Sequence, residues 1–180
     1  MIAPSSNHRA YPPGTRVIAN WQGRGGWFLG EVSAARGDEL FIRYIDGDEE
    51  WVPLDRVMEP KLIVGLRVLA RWKRCPVWYP GVIAAISEGR IGIQYFDGDQ
   101  EWTDPDLVRL DDIGPGDWLV IDLEGVRRYV PGKVIERNRD DLYVELLDGT
   151  RTHTTIRNVG LDLEARETGR PSFVPKPQDE

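Results

Sequence analysis

The sequence repeats itself three times at a fixed spacing of 51 residues. Residues 14–32, 65–83 and 116–134 align with one another without a gap, and so do residues 39–52, 90–103 and 141–154. A fixed period of about 50 residues is typical of arrays in which each repeat is one small structural unit. Units of that size lie near the lower limit for an independent hydrophobic core, so we expect neighbouring repeats to bury surface against each other.

Strand and turn signals divide each repeat in the same way. The dipeptide Asp-Gly recurs at 46–47, 97–98 and 148–149 between runs of β-type residues, which is a strong hairpin signal because the turn needs positive φ. Five short strands per repeat predict a small barrel. The sequence therefore predicts an all-β chain of three tandem SH3-like five-stranded barrels with short linkers, over residues 14–60, 65–111 and 115–162. Composition predicts a flexible N-terminus over 1–13 and a disordered tail over 163–180.

Composition and charge exclude several classes of function. The formal net charge is −7, whereas phosphate-driven binding needs a basic face, so direct nucleic-acid binding is not expected. The two histidines and one cysteine lie far apart in the chain, and the spacings typical of metal sites and phosphate loops are absent, which predicts neither an enzyme nor a cofactor.

Two further features of the sequence bear on localisation. No apolar run approaches membrane-spanning length and the N-terminus lacks a signal-peptide core, so we expect an intracellular protein without a membrane partner. Arginine outnumbers lysine 19 to 4, a bias typical of GC-rich genomes. The expected compartment is the cytoplasm if the chain is bacterial and the nucleus if it is eukaryotic.

The first two repeats each carry three aromatic residues and one acid at equivalent positions. These residues are Trp21, Phe28, Tyr44 and Asp46 in repeat 1, and Trp72, Tyr79, Tyr95 and Asp97 in repeat 2. The aromatic residues come from different strands of one small barrel, so we expect them to converge at one end, beside the acid in the hairpin turn. Each well-placed ring attracts an organic cation by roughly 0.5–2 kcal/mol. The pattern therefore predicts a box for a cationic side chain, and methyl groups on the cation favour it by lowering hydration.

This pattern resembles the Tudor/Agenet group of the Royal family of SH3-like barrels. The match consists of V-x-A-x-W, an aromatic residue seven positions after the tryptophan, and Y-x-D-G, and it spans about 40 residues in each of the two repeats. The resemblance implies that the eight residues form methyl-lysine or methyl-arginine cages. It also implies a basic or methylated peptide partner, which is a histone tail in a eukaryote. In a bacterium we expect a basic protein tail or a replication or transcription partner instead. Some readers have a further aromatic residue where this chain has Asp48 and Asp99, which implies three-ringed, more acidic cages.

The third repeat lacks the rings, and other interpretations of the aromatic residues stay open. Leu123, Val130 and Leu146 occupy the ring positions of repeat 3, so no cage is expected there. The aromatic residues of repeats 1 and 2 also suit core packing or a general peptide groove, in which case the chain is a structural adaptor that docks partners through barrel surfaces. A nucleic-acid-associated Tudor-like module is a further alternative. Trp27 and Trp78, next to the cage positions, are expected to pack between repeats.

Overall fold

A computed structural model describes residues 11–123 and 129–172 and contains three five-stranded antiparallel sheets, one for each repeat. The first sheet consists of β1 (Arg16–Asn20), β2 (Trp27–Arg36), β3 (Glu39–Tyr44), β4 (Glu49–Pro53) and β5 (Val57–Met58). The second consists of β6 (Arg67–Ala70), β7 (Tyr79–Ser87), β8 (Arg90–Tyr95), β9 (Gln100–Thr103) and β10 (Val108–Leu110). The third consists of β11 (Trp118–Asp122), β12 (Tyr129–Asn138), β13 (Asp141–Leu146), β14 (Arg151–Thr155) and β15 (Val159–Leu161).

All three sheets have the same strand order, in which the short last strand returns to pair with the first. The long second strand of each sheet carries a bulge at the equivalent place, between Val32 and Ala34 in the first sheet. Bulges increase the local bend and twist, which curls a sheet this small into a barrel. The three Asp-Gly turns form as expected, with positive φ at Gly47, Gly98 and Gly149. The predicted fold class, three tandem small barrels in an all-β chain, is confirmed.

Each barrel has its own core, and the first strand of a repeat also contributes to the core of the next repeat. Val17 and Ala19 of β1 lie in the first core, whereas Ile18, between them, lies in the second. One period later, Val68 and Ala70 lie in the second core and Leu69 lies in the third. Because side chains alternate along a strand, one face of β1 fills its own barrel and the other packs against the neighbouring barrel.

Two tryptophans join neighbouring repeats, as the sequence predicts. Trp27 packs against the second core, and its backbone N–H donates to the carbonyl of Gly65 at 2.9 Å. Trp78 packs against the third core and exchanges two backbone hydrogen bonds with Leu161, at 3.1 and 2.7 Å. Each tryptophan therefore combines apolar burial with backbone pairing across a repeat boundary.

Repeat 3 also contacts repeat 1, although the two are not consecutive in sequence. The backbone N–H of Arg139 donates to the carbonyl of Asp46 at 2.7 Å, and its guanidinium pairs with Asp48 at 2.9 Å. The hairpin that carries Arg139 is held by Arg137, which forms a buried bidentate ion pair with Asp111 in the linker before repeat 3. All three repeats are thus in mutual contact.

Within the segment 163–180, where composition predicts disorder, the structure describes residues 163–172. A short helix, α1 (Ala165–Thr168), follows the last strand, and Ala165 is buried. Arg166 donates to both carboxylate oxygens of Asp117, at 2.7 and 2.8 Å, and also pairs with Asp112. These ion pairs dock a segment whose charged composition alone predicts disorder.

At the other end of the chain, residues 1–10 of the expected flexible segment 1–13 lie outside the described residues, and Tyr11 packs against the first core. None of the helices in the described part of the chain is long and apolar enough to cross a membrane.

Candidate functional site

The three predicted rings of repeat 1 meet at one end of its barrel. Phe28 stands between the other two, with its ring centroid 6.4 Å from that of Trp21 and 6.1 Å from that of Tyr44. Both contacts are edge-to-face, the interplanar angles being 71° and 79°, which is a favourable geometry for aromatic pairs. Together with Asp46 these rings line a pocket of about 140 Å³.

The other two repeats complete the walls of this pocket. Arg67 of repeat 2 and Arg139 and Asp140 of repeat 3 line it together with Asp48 of repeat 1. The guanidinium carbon of Arg67 lies 5.5 Å from the ring centroid of Phe28, within cation–π range, and its Nη2 donates to Asp140 at 2.8 Å. The pocket therefore lies where all three repeats meet, a placement that the sequence repeat alone does not reveal.

Asp46 is the buried acid of this pocket. It is only 9% exposed, and its Oδ1 accepts a hydrogen bond from the backbone N–H of Asp48 at 3.1 Å. Burial raises the pKa of the Asp46 carboxyl above its usual value, since desolvation outweighs the hydrogen bond from Asp48 and the attraction of Arg137. A cation entering the pocket would favour the ionised form and relieve this cost.

The predicted residues of repeat 2 occupy the equivalent positions with a different arrangement. The rings of Trp72 and Tyr95 are in direct edge contact, with centroids 5.6 Å apart and an interplanar angle of 88°. Tyr79 packs against the same core and lies beside repeat 3, where a Cβ added to Gly160 would come within 2.8 Å of its ring. Burial raises the pKa of Tyr79 to about 12, and the nearby thiol of Cys75 adds to this effect.

The two sites differ most in the exposure of their acids. Asp97 of repeat 2 is exposed, whereas its counterpart Asp46 is covered by the hairpin of repeat 3. Lys73 lies beside the ring of Trp72, with its Nζ 5.0 Å from the ring centroid. In repeat 2 the ring of Trp72 therefore already has the ammonium group of Lys73 within cation–π range, and the nearby carboxylate of Asp97 is accessible to solvent.

Two glutamates that the sequence analysis did not single out hold the ring-bearing segments together. Tyr44 donates from its hydroxyl to Glu50 at 2.7 Å, and Tyr95 donates to Glu101 at 2.5 Å. The same carboxylates accept backbone N–H groups from Gln22 and Lys73, at 3.2 Å each. Gln22 and Lys73 have positive φ, which is strained for residues with a side chain, and each directly follows the tryptophan of its site. Each glutamate thus ties a strained tryptophan turn to the tyrosine on the third strand.

The aligned repeats contain a sequence signal that could have identified these two glutamates. Repeats 1 and 2 have both the tyrosine and the glutamate, whereas repeat 3 has Leu146 and Thr152 at the two positions. Burial and the bond to the glutamate raise the pKa of both tyrosines well above the usual value, so the hydroxyls stay protonated and remain donors. In repeat 3, Leu123, Val130 and Leu146 instead pack against the third core.

Solved structures with partial similarity to this chain include one of tandem Agenet domains and one of MBT repeats. No protein-family model matches the chain, and no curated protein does either. The structure of ADCP1 tandem Agenet domain 3-4 is 19% identical over 57% of this chain and 81% of its own, with a TM-score of 0.31.

The second structure contains the four MBT repeats of Drosophila melanogaster Sfmbt in complex with the peptide RHR(me)KVLR. It is 11% identical over 88% of this chain, which spans 66% of that one, with a TM-score of 0.24. At these identities and TM-scores neither similarity carries an argument about function.

Proposed function

We propose that this chain is a non-enzymatic binding protein whose first two repeats each bind a cationic, methylated lysine or arginine side chain on a flexible peptide. The observation that carries this proposal is the pocket of repeat 1, where Trp21, Phe28 and Tyr44 line part of a space of about 140 Å³ beside the buried Asp46. Sites for small molecules usually measure about 300–1,000 Å³, so this pocket suits one side-chain head group rather than a metabolite.

The chemistry of the lining favours a cation. Ring faces carry negative quadrupole, and the guanidinium of Arg67 already lies within cation–π range of Phe28. The lining contains three carboxylates and two guanidinium groups, those of Asp46, Asp48, Asp140, Arg67 and Arg139. A methylated ammonium is less hydrated than a free one and loses less on entering such a pocket. A carboxylate that accepts a remaining N–H favours the lower methylation states.

The aromatic residues of repeat 2 would provide a second site, so that one chain could bind two modified side chains at once. Trp72 and Tyr95 form an edge-to-face pair, with Asp97 exposed beside them. Two linked sites raise the overall affinity when one ligand carries two marks at a matching span, because the second binding event becomes intramolecular. The expected partner is a basic, flexible protein tail, a histone tail in a eukaryote or another basic tail in a bacterium. The net charge of −7 favours such a partner over nucleic acid.

The proposal is tested by titrating matched peptides into the full chain and into two variants. Trp21→Ala and Trp72→Ala each remove one half-buried ring from one site and leave the other site unchanged. Each is expected to weaken binding of a methylated peptide at its own site by roughly tenfold, since one desolvated ring contributes about 1–2 kcal/mol. The matched control is Trp51→Ala, because Trp51 lies on the fourth strand, packed against Phe41 and outside the lining of the pocket.

The comparison of peptides decides between the proposal and its alternative. The methylated peptide should bind the wild type more tightly than the unmodified one, and the double variant should lose this preference. Equal affinity for both peptides, unchanged in the variants, would instead support an adaptor that docks partners through barrel surfaces.

A further inference from the structure

The outer face of repeat 1 holds an arginine between an aromatic pair and an acid. Phe41 of β3 lies opposite Trp51 of β4, with ring centroids 5.2 Å apart. The guanidinium carbon of Arg36 lies 4.0 Å from the ring centroid of Trp51, within cation–π range, and its Nε donates to Glu39 at 3.2 Å. Repeat 1 therefore supplies its own cation to the rings on this face, and a carboxylate fixes that cation in place.

The outer face of repeat 3 keeps the rings and the acid but has no arginine between them. Tyr143 lies opposite His153 in the same register, with ring centroids 4.7 Å apart. Asp141 lies opposite Asn138, at the positions where repeat 1 has the acid opposite the arginine. Because Asn138 is neutral, the cation of repeat 1 has no counterpart on this face.

The place of the missing arginine is part of a groove of about 590 Å³, within the range of about 300–1,000 Å³ that is usual for ligand sites. The groove is lined by Glu136, Asn138, Asp141, Tyr143 and His153. Glu136 adds a second carboxylate at the position where repeat 1 has Ala34. The lining therefore contains two carboxylates, two rings and no arginine or lysine.

Neither carboxylate of the groove has a partner in the part of the chain that the structure describes. Glu136 and Asp141 are exposed and take part in no ion pair or side-chain hydrogen bond there. The arginines closest to them in the sheet are engaged elsewhere, since Arg151 pairs with Glu145 at 3.0 Å and Arg139 pairs with repeat 1. A cation that enters the groove would thus meet two carboxylates without competition from an internal cation.

Repeat 2 shows that this combination is not a general property of the barrel. At the positions of Asn138 and Asp141 it has Ser87 and Arg90, so the arginine and the acid of repeat 1 are both absent. Arg90 instead donates to the carbonyl of Trp102 at 3.1 Å. Repeat 3 alone combines the ring pair with an acid that no arginine of the same face neutralises.

We propose that the groove of repeat 3 binds the guanidinium group of an arginine on a partner protein, in the place that Arg36 occupies in repeat 1. A planar guanidinium can stack on a ring and donate to carboxylates in its own plane, whereas an ammonium group cannot do both. The groove is separate from the barrel interior, because Tyr143 alternates along β13 with the buried Leu142 and Val144.

The groove and the pocket of repeat 1 share one wall. In the hairpin that joins β12 to β13, Arg139 and Asp140 line the pocket, and Asn138 and Asp141 line the groove. A basic peptide with one side chain in the pocket would therefore bring a neighbouring arginine to the groove. This consequence, unlike the groove itself, rests on the function proposed above.

The test is an NMR titration of the full chain with N-acetyl-argininamide, followed at the ring signals of Tyr143 and His153 and at the side-chain amide of Asn138. A saturable shift is expected at these signals. N-acetyl-citrullinamide, a neutral analogue of nearly the same shape, should cause none. Absence of a saturable shift, or an equal shift with the citrulline compound, would overturn the proposal, and equal binding of N-acetyl-lysinamide would overturn the choice of arginine. The indole N–H of Trp21 reports separately on the pocket of repeat 1, so the two proposals can fail independently.

A substitution that fills the groove from within provides the matched variant. Asn138→Arg restores the arrangement of repeat 1 at an exposed position, so it is expected to keep the fold and to abolish the shifts at Tyr143 and His153. Ser87→Arg, the equivalent change in repeat 2, is its control and should leave the titration unchanged. If Asn138→Arg does not fold, Asp141→Asn removes one carboxylate and is expected to weaken binding several-fold. Unchanged binding in a folded form of Asn138→Arg or Asp141→Asn would place the ligand elsewhere and contradict the proposal.

Discussion

Replacing Arg137 with methionine is expected to destabilise the chain more than any surface charge substitution. The side chain of Arg137 is only 3% exposed, as is that of its partner Asp111. The guanidinium donates to both carboxylate oxygens of Asp111, at 3.0 and 2.9 Å, and to the carbonyls of Ile113 and Arg139, at 3.0 Å each. One side chain thus fixes the linker before repeat 3 and the hairpin that reaches repeat 1.

The magnitude follows from what the substitution leaves behind. In Arg137→Met the carboxylate of Asp111 stays buried and keeps only a long hydrogen bond, 3.4 Å, from the backbone N–H of Ile113. Removing one partner of a buried ion pair typically costs about 3–5 kcal/mol, mostly because the other charge is left uncompensated. Replacing both partners, as in Arg137→Met with Asp111→Leu, should recover much of that loss, since a well-packed apolar pair avoids the desolvation cost.

The assay is urea denaturation, with the free energy of unfolding taken from the midpoint and slope of the transition. Arg43→Met is the matched control, because Arg43 makes a single ion pair with Glu49 in which both side chains are at least half exposed. Such pairs contribute about 0–1 kcal/mol. If Arg137→Met and Arg43→Met lower the free energy of unfolding by the same amount, the buried pair does not hold the repeats together and the reasoning fails.

Three further predictions follow from the sites. Burial raises the pKa of Asp46, so the carboxylate is protonated at a higher pH than an ordinary aspartate when the pH is lowered. In the Trp72→Ala background, which leaves the repeat 1 site to be measured alone, the affinity for a cationic peptide should therefore start to fall at that higher pH. Asp46→Asn should lower the affinity and remove this dependence on pH. Glu101→Ala removes the hydrogen-bond acceptor for the Tyr95 hydroxyl and for the backbone N–H of the strained Lys73 turn. It should lower the free energy of unfolding, measured by urea denaturation, by about 1–3 kcal/mol and should weaken peptide binding. Thr152→Ala, at the equivalent position of repeat 3, should leave binding unchanged. Gly160→Ala would place a Cβ in steric conflict with the side chain of Val77, so it should lower stability by about 1–3 kcal/mol. Its control is Gly114→Ala, where the nearest atom lies at 3.9 Å, and equal melting temperatures for the two variants would show that the contact relaxes freely.

The sequence predicts the barrels well because their signals are local and occur three times. The Asp-Gly turns and the alternation of residues such as Leu40, Ile42 and Tyr44 need only the period of a strand and the geometry of a hairpin, and all three side chains are buried as expected. The packing role of Trp27 and Trp78 follows from the same alternation, because each lies next to an aromatic residue, Phe28 or Tyr79, that packs against the core of its own repeat.

The remaining features depend on contacts between residues that are distant in sequence. Neither the pairing of Arg139 with Asp48 nor that of Arg166 with Asp117 has a local signature in the sequence. The contact between repeats 1 and 3 and the docking of helix α1 are therefore not predictable from strand patterns. The composite wall of the repeat 1 pocket is missed for the same reason. Glu50 and Glu101 are an exception, since their joint replacement with the tyrosine in repeat 3 is visible in the sequence.

The most direct test of the central claim compares two peptides that differ only in charge. One carries trimethyllysine, and the other carries its neutral isostere, in which carbon replaces the ammonium nitrogen, so both have the same shape and apolar surface. If the rings of repeats 1 and 2 bind a cation, calorimetry should show the charged peptide binding at least about tenfold more tightly, because each ring contributes roughly 0.5–2 kcal/mol through its quadrupole. Equal affinity for the two peptides would mean that the aromatic residues only bury apolar surface, and it would contradict the account.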